Sequence, residues 1–397
     1  MTTPASLYRN AIDLNRYSNS VARRIINAYN DIILDSVAQL RAIEDLDESV
    51  KAARLRSILA QLKESLATWA GDSTEVMVPE LQGLAELQSE FVEEQLKKVL
   101  PAGSRSIVNT VEISPQFAQA VVTTDPTQIN AVVLSDDLFA AVQGAPQTFS
   151  LTAAQGATIT MPNGKVVEKA FRGLAESQAE RFGQIVRQGL LTGEPTPEIA
   201  RRLKGRLEFG QPARSVKQLQ LAGGELTKMA NHQVMTIVRT SVNQVSNAAS
   251  QQVYEANQDV TQKYRYVATL DTRTSAICRA LDGREFEYGK GPKPPQHFNC
   301  RSTTVPVVDY EGLGLTPPKP GRRASMKGAV PSDTTYGKWL ADPENEREKK
   351  KVLGKKAPYF DRLSKKYGPD AAIAKLVRDD GSELTLEQLR RRYGRLQ

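Results

Sequence analysis

Apolar side chains recur at three- and four-residue spacing over long parts of the chain, which is the pattern of one face of an α-helix. The first such part covers residues 5–70, with a polar break near residues 45–48 and an end at residues 71–73. A further helix is predicted over residues 79–100, because its first residue, proline, suits the first turn of a helix. Together these helices predict an N-terminal helical bundle over residues 1–103.

The helical spacing returns in the second half of the chain. It predicts a helix over residues 171–190, a shorter helix over residues 197–207 and a long helix over residues 224–257. Thr196 precedes the shorter helix and is of the residue type that caps helix N-termini. We therefore expect Thr196 to be the N-cap.

Alternating apolar and polar positions predict strands elsewhere. One β-like run lies at residues 107–113, and an Asn-Gly turn at residues 163–164 predicts a hairpin within a mixed α/β segment over residues 104–170. Two more strands are predicted at residues 264–270 and 302–308, on either side of a loop rich in glycine and proline. We expect a predominantly helical α+β fold, in which the long helix packs on a small β-rich loop module.

The composition adds domain boundaries to this pattern. Residues 171–312 form one predicted domain, and residues 313–331, rich in proline, glycine and basic side chains, are predicted to be a linker. Residues 332–397 are predicted to be a basic tail of short helices, in which Thr385 and Gln388 have the spacing of a capping box. No run of 18 apolar residues is present, so no membrane span is expected.

The net charge of +8 is concentrated in the last fifth of the chain. Residues 319–397 carry 20 basic and 11 acidic side chains, whereas the first 318 residues have a net charge of −1. A basic tail suggests an anionic partner such as nucleic acid, and a solvated mixed-charge surface is the alternative. The side chains predicted to contact DNA are Arg322, Arg323, Lys349, Lys350, Lys351, Lys355 and Lys356.

Both cysteines of the chain and one of its two histidines fall within 23 residues, at Cys278, His297 and Cys300. Thiolate and imidazole are ligands that suit zinc, and a structural zinc site has four ligands in a tetrahedron. The fourth ligand would be Asp271, Asp282 or a water, and a water would leave a position of the catalytic type. Two alternatives stay open: a disulfide, which a reducing cytoplasm disfavours, and two buried thiols beside a hydrogen-bonded histidine.

The same segment resembles the signature of the phage head-morphogenesis family, typified by Mu F-like and SPP1-type minor head proteins. The motif positions follow one another in the order of the family: Arg239, Asp271, Cys278, Asp282, Gly283, His297, Cys300 and Arg301. Many members have another cysteine three positions before the first one, where this chain has Ser275. That departure leaves three ligands of an expected four.

The resemblance implies a virion protein without an enzymatic role, namely a minor head protein that acts in head assembly near the portal. Its partners would be the portal protein, the major capsid protein and, through the tail, packaged DNA. It would be made in the host cytoplasm and lie in the capsid interior or at the portal vertex. The alternative is an enzyme delivered with the genome, either a metal-dependent nuclease or an ADP-ribosyltransferase-like enzyme with Arg239 at its cofactor. No complete catalytic set is present in the sequence.

Overall fold

The computed structural model describes residues 3–115, 117–118, 167–209, 218, 221–317, 319, 321–378 and 381–394. The predicted Asn-Gly hairpin and most of the mixed segment lie outside these ranges. Within them the chain forms a helical body, two small antiparallel sheets and a set of short C-terminal helices. The predicted fold class, predominantly helical α+β, is confirmed. None of the helices in these ranges combines the length and apolar composition that crossing a bilayer requires.

The N-terminal part is a hairpin of two long helices, α1 (Thr3–Arg41) and α2 (Glu48–Val99). Helix α2 runs without interruption through Gly71 and Pro79, so the predicted end and restart of the helix there are wrong. Glycine and proline inside a helix cost on the order of 1 and 3 kcal/mol. The apolar face on both sides of them, including the buried Met77, packs against the rest of the body and offsets this local cost.

Three more helices complete the body: α3 (Val167–Leu191), α4 (Thr196–Lys204) and α5 (Glu225–Ala256). The predicted long helix is confirmed as α5, which contacts α1, α2, α3 and α4 and is buried along most of its length. Thr196 is already inside α4, and Pro195 is the N-cap. The predicted capping role of Thr196 is therefore wrong by one position.

A three-stranded antiparallel sheet follows α5, with the order β2-β1-β3. Its strands are β1 (Thr261–Val267), β2 (Glu285–Glu287) and β3 (Thr303–Val308), and the short helix α6 (Ala276–Leu281) lies between β1 and β2. The two predicted strands that flank the loop are confirmed as β1 and β3. Tyr264 is the buried centre of the sheet and lies between Phe286 and Pro306.

The β-like pattern at residues 107–113 does not form a strand, so this prediction is wrong. A 3-10 helix (Ala102–Ile107) is followed by an extended segment that runs along α2 and the end of α5. Its hydrogen bonds go to side chains: the Asn109 amide donates to Asn257 Oδ1 at 2.7 Å, and the Val111 amide donates to Glu93 Oε1 at 2.7 Å. These contacts satisfy the backbone without a partner strand.

Part of the predicted linker is folded. The strands β4 (Arg322–Ser325) and β5 (Gly328–Pro331) form a hairpin, and β4 contacts α1. The tail helices are α7 (Tyr336–Ala341), α8 (Glu346–Leu353), α9 (Ala357–Tyr367), α10 (Pro369–Ala374) and α11 (Leu386–Tyr393). The predicted capping box at the start of α11 is confirmed, because Thr385 and Gln388 bond to each other's backbone amides. The domain boundaries themselves stay a prediction.

The carboxylate of Asp282 joins the hairpin and the tail to the β1 module. Oδ1 accepts from the Ala268 amide at 2.6 Å and from Arg323 at 3.0 Å, and Oδ2 accepts from the Tyr336 amide at 2.6 Å and from Arg323 at 3.1 Å. The Asp282 side chain is 0% exposed and that of Arg323 is 5% exposed. This buried ion pair with all its hydrogen bonds made fixes three parts of the chain at one point.

We expect Asp282→Asn to lower the free energy of unfolding by about 3–5 kcal/mol, because it leaves the buried Arg323 charge without a carboxylate. Glu285→Gln is the matched control, since it breaks the half-exposed pair between Arg265 and Glu285, whose atoms lie 2.6 Å apart. Loss of such a surface pair costs about 0–1 kcal/mol. Urea titrations followed by circular dichroism measure both, and equal losses for the two variants would contradict the role assigned to Asp282.

Candidate metal centre

The loop between β1 and β3 brings the three predicted ligands together. Ser275 is the N-cap of α6 and accepts a hydrogen bond from the Cys278 amide, which sets Cys278 in the first turn of that helix. Cys300 lies three residues before β3, directly after Asn299, whose φ of 58° turns the chain. The Asn299 amide donates to Thr240 Oγ1 on α5 at 3.0 Å. The long helix therefore positions the second half of the site.

The sulfur and nitrogen atoms of Cys278, His297 and Cys300 all lie within 4.8 Å of one another. The two sulfurs are 3.8 Å apart, and His297 Nε2 is 3.3 Å from Cys278 Sγ. Both cysteines are free and buried, with exposed fractions of 1% and 2%. The structure thus assembles the three scarce residues that the sequence singled out.

The distances fit a tetrahedral soft cation. Zinc–sulfur bonds of about 2.3 Å at the tetrahedral angle place two thiolate sulfurs about 3.8 Å apart, and this is the separation between Cys278 and Cys300. His297 Nδ1 donates to the Phe298 carbonyl at 2.8 Å. That bond fixes the orientation of the ring. It leaves Nε2, on the side of the sulfurs, as the ring atom that can coordinate a metal ion, as in metal-binding histidines. The group can therefore hold a metal ion.

The protonation of each of these three groups also depends on the other two. Burial raises the pKa of the Cys278 thiol. Burial would also raise the pKa of Cys300, but hydrogen bonds from Cys278 and His297 and the charge of His297 lower it well below its usual value. Burial lowers the pKa of His297, but the Cys300 sulfur and the hydrogen bond to the Phe298 carbonyl together raise it above its usual value. A thiolate at Cys300 is therefore stabilised, and a thiolate is the form that binds a metal.

The two carboxylates predicted as fourth ligands are occupied by arginines. Asp271 accepts from Arg301 at 2.5 and 3.0 Å and from the Arg273 amide at 2.9 Å. Asp282 makes the four bonds to Ala268, Arg323 and Tyr336 described above. Neither belongs to the group of close ligand atoms. Of the three fourth ligands considered, a water is the one that the described residues leave available.

Ser275 and Tyr266 complete the surroundings of the sulfurs. The Ser275 hydroxyl serves as a helix cap, so the position where the resemblance led us to expect a further cysteine has a structural role here. Tyr266 is fully buried, and its hydroxyl lies 3.3 Å from Cys278 Sγ. Tyr266 was not among the residues predicted from the sequence, although the alternation of buried positions along β1 places it on the inward face.

The remaining motif residues are structural in this fold. Arg301 forms the bidentate pair with Asp271. Gly283 has a φ of +81°, and a Cβ there would meet Thr335 Cγ2 at 2.5 Å, so both the turn and the close approach of the tail require glycine. Arg239 donates to Asn19 Oδ1 on α1 at 2.8 and 3.2 Å. The cavity beside Cys300 measures about 30 Å³, which is room for water and not for a nucleotide.

Three of the side chains predicted to contact DNA form ion pairs within the protein. Arg323 is buried on Asp282. Lys349 is 9% exposed and lies 2.7 Å from both Glu346 and Asp361, and Lys356 is 18% exposed and lies 2.5 Å from Glu383. These three are corrected to structural ion pairs. The side chains of the set that are exposed are Arg322, Lys350, Lys351 and Lys355.

Residues 180–305 match the family described as "Phage Mu protein F like protein". The match begins in α3, ends in β3 and contains the whole Cys/His group. The predicted resemblance to the phage head-morphogenesis family is thereby confirmed.

A second comparison names a particular relative. The chain is 28% identical over 185 residues to the "Minor head protein GP7" of Bacillus phage SPP1. The alignment covers 43% of this chain and 51% of that protein, so the chain spans about half the length of this relative. No solved structure matches the chain.

Proposed function

We propose that this chain is a minor head protein of a tailed phage, built into the head during assembly next to the portal. The observation that carries the proposal is the family match over residues 180–305, which coincides with the long helix α5, the three-stranded sheet and the Cys/His group. The partners proposed are the portal protein and the major capsid protein. The proposed place is the portal vertex or the capsid interior, reached from the host cytoplasm.

The Cys/His group has a structural role in this proposal, as a zinc-bound knuckle. Zinc would hold Cys278 of α6 next to His297 and Cys300, and so would pin the loop before β3 against α5. Arg301 directly follows Cys300, and Asn299 directly precedes it and donates to Thr236 on α5 at 2.9 Å. A metal at this point supports a docking surface without needing a substrate cavity.

The exposed lysines of the tail are proposed to face packaged DNA. Lys350 is 71% exposed, and its ion pair with Glu346 is 3.4 Å long. Lys351 and Lys355 are exposed on the same part of the tail. Such side chains neutralise backbone phosphates without reading the sequence of the DNA.

Heads purified from infected cells are expected to contain this chain in a small number of copies, measurable by quantitative mass spectrometry. Phage that carry Asp282→Asn are expected to yield fewer infectious particles than phage that carry Glu285→Gln, because the first variant loosens the tail from the Mu F-like part. Heads that contain no copy of the chain would refute the proposed function.

The purified chain, reduced and reconstituted with zinc, is expected to bind about one equivalent per chain, measurable by mass spectrometry of the metal. His297→Ala and Cys300→Ser are expected to lose this zinc and its stabilisation against heat. Ser275→Ala is the matched control: it removes the helix cap, at a cost of about 1 kcal/mol, and keeps the metal. Absence of zinc from the wild type, or its loss with Ser275→Ala alone, would contradict the assignment of ligands.

A triple variant with Lys350, Lys351 and Lys355 changed to glutamine is expected to bind duplex DNA more weakly, with a shallower dependence on salt. The slope of log K against log salt falls by roughly 0.9 for each phosphate that the protein no longer neutralises. The control changes Arg54, Arg56 and Lys63 on α2 to glutamine, which removes the same charge from an exposed face away from the tail. If the control weakens binding as much as the tail variant does, the DNA does not bind at the tail.

A further inference from the structure

Two adjoining cavities lie between helix α1 and the residues that follow Cys300, and strand β4 also lines the larger one. They measure about 30 and 110 Å³ and share four wall residues: Ala11, Asn15, Arg301 and Thr303. Arg239 lines the smaller one. One water needs on the order of 10–15 Å³ of such space, so an anion with four oxygens fits the larger cavity, which Asn15 and Arg301 line, with Arg239 in the wall of the adjoining smaller one.

This cleft has more positive than negative charge. The guanidinium of Arg239 has a neutral partner, Asn19 Oδ1, and no acidic partner among the described residues. Two other arginines line the cavities, and each has its own carboxylate: Arg301 pairs with Asp271 at 2.5 Å and Arg323 pairs with Asp282 at 3.0 Å. Arg239 is therefore the lining arginine whose charge no carboxylate of the described residues balances.

The positive charges of neighbouring arginines repel one another. Burial lowers the pKa of Arg239, and the charges of Arg273 and Arg301 lower it further. A partly buried arginine held by an amide oxygen alone is destabilised by its own desolvation. An anion in the cleft would remove that penalty, since arginine binds phosphate oxygens through two parallel N–H donors.

The side chain of Asn15 is a second, independent indication of an anion site. Asn15 lines both cavities and is half-buried, and its side chain makes no hydrogen bond with the described residues. An Asn amide group offers two N–H donors. A neutral donor beside an arginine without a counter-ion is an arrangement that an oxyanion would complete.

We propose that this cleft binds a phosphate group through Arg239, Arg301 and Asn15, supplied either by a nucleic-acid backbone or by free inorganic phosphate. The site is separate from the exposed lysines of the tail and goes beyond the proposed place in the head. It does not depend on a metal at the Cys/His group.

The test uses the full chain and inorganic phosphate, titrated by calorimetry against chloride at equal ionic strength. Wild type is expected to show specific phosphate binding, and Arg239→Gln is expected to raise the apparent Kd about tenfold, the usual effect of losing a charged hydrogen bond. Asn15→Leu removes the amide without changing the charge and is expected to raise Kd about fivefold. The control is Arg265→Gln, which removes an arginine of the central strand β1 that lines neither cavity and should leave Kd unchanged.

Wild type that binds phosphate no better than chloride overturns the proposal, even if Arg239→Gln does not fold. Folded Arg239→Gln that binds phosphate as tightly as wild type overturns it as well. Competition with a short DNA duplex, in the background of the triple tail variant, separates the two sources. Displacement of phosphate by the duplex assigns the site to nucleic acid, and unchanged phosphate affinity assigns it to the free anion.

Discussion

The buried pair between Asp282 and Arg323 is the contact on which the C-terminal half depends. It joins the end of β1, the β4–β5 hairpin and the start of α7, parts that are otherwise separated along the chain. Buried ion pairs repay their desolvation when every lone pair is used, and here both oxygens of Asp282 accept two bonds. The tail is therefore attached to the residues on either side of the Cys/His loop, and its apolar core includes Leu270.

The structure separates two roles of the basic side chains in the tail, contact with DNA and ion pairs within the protein, that the sequence could not distinguish. Positive charge in the tail suggested contact with DNA, yet Arg323, Lys349 and Lys356 are engaged in holding the tail together. Their burial could not be read from composition, because the partners Asp282, Asp361 and Glu383 lie 41, 12 and 27 positions away in the chain. The part of the basic surface that is free to meet a phosphate is smaller than the net charge of +8 suggests.

The structural features that could be predicted from the sequence are those that depend on residues close together in the chain. Helix α5 and strands β1 and β3 follow from hydrophobic spacing, and the cap of α11 follows from Thr385 and Gln388. The continuity of α2 through Pro79 could not be predicted, since it depends on packing against helices more than 80 residues later. The same holds for the candidate site. Scarcity singled out the two cysteines and His297, but the pairing of Arg239 with Asn19 spans 220 positions.

The Cys/His group and the arginine cleft meet at two consecutive residues, Cys300 and Arg301. Cys300 faces Cys278 across 3.8 Å, and Arg301 turns to Asp271 and lines the cleft under α1. Whatever fixes the Cys300 backbone therefore also fixes the guanidinium beside it, because the rotation of one peptide unit moves both. The knuckle is then best understood as the support of a positively charged surface. That interpretation accounts for a group of three potential ligands beside a small cavity, in a protein similar to a phage minor head protein.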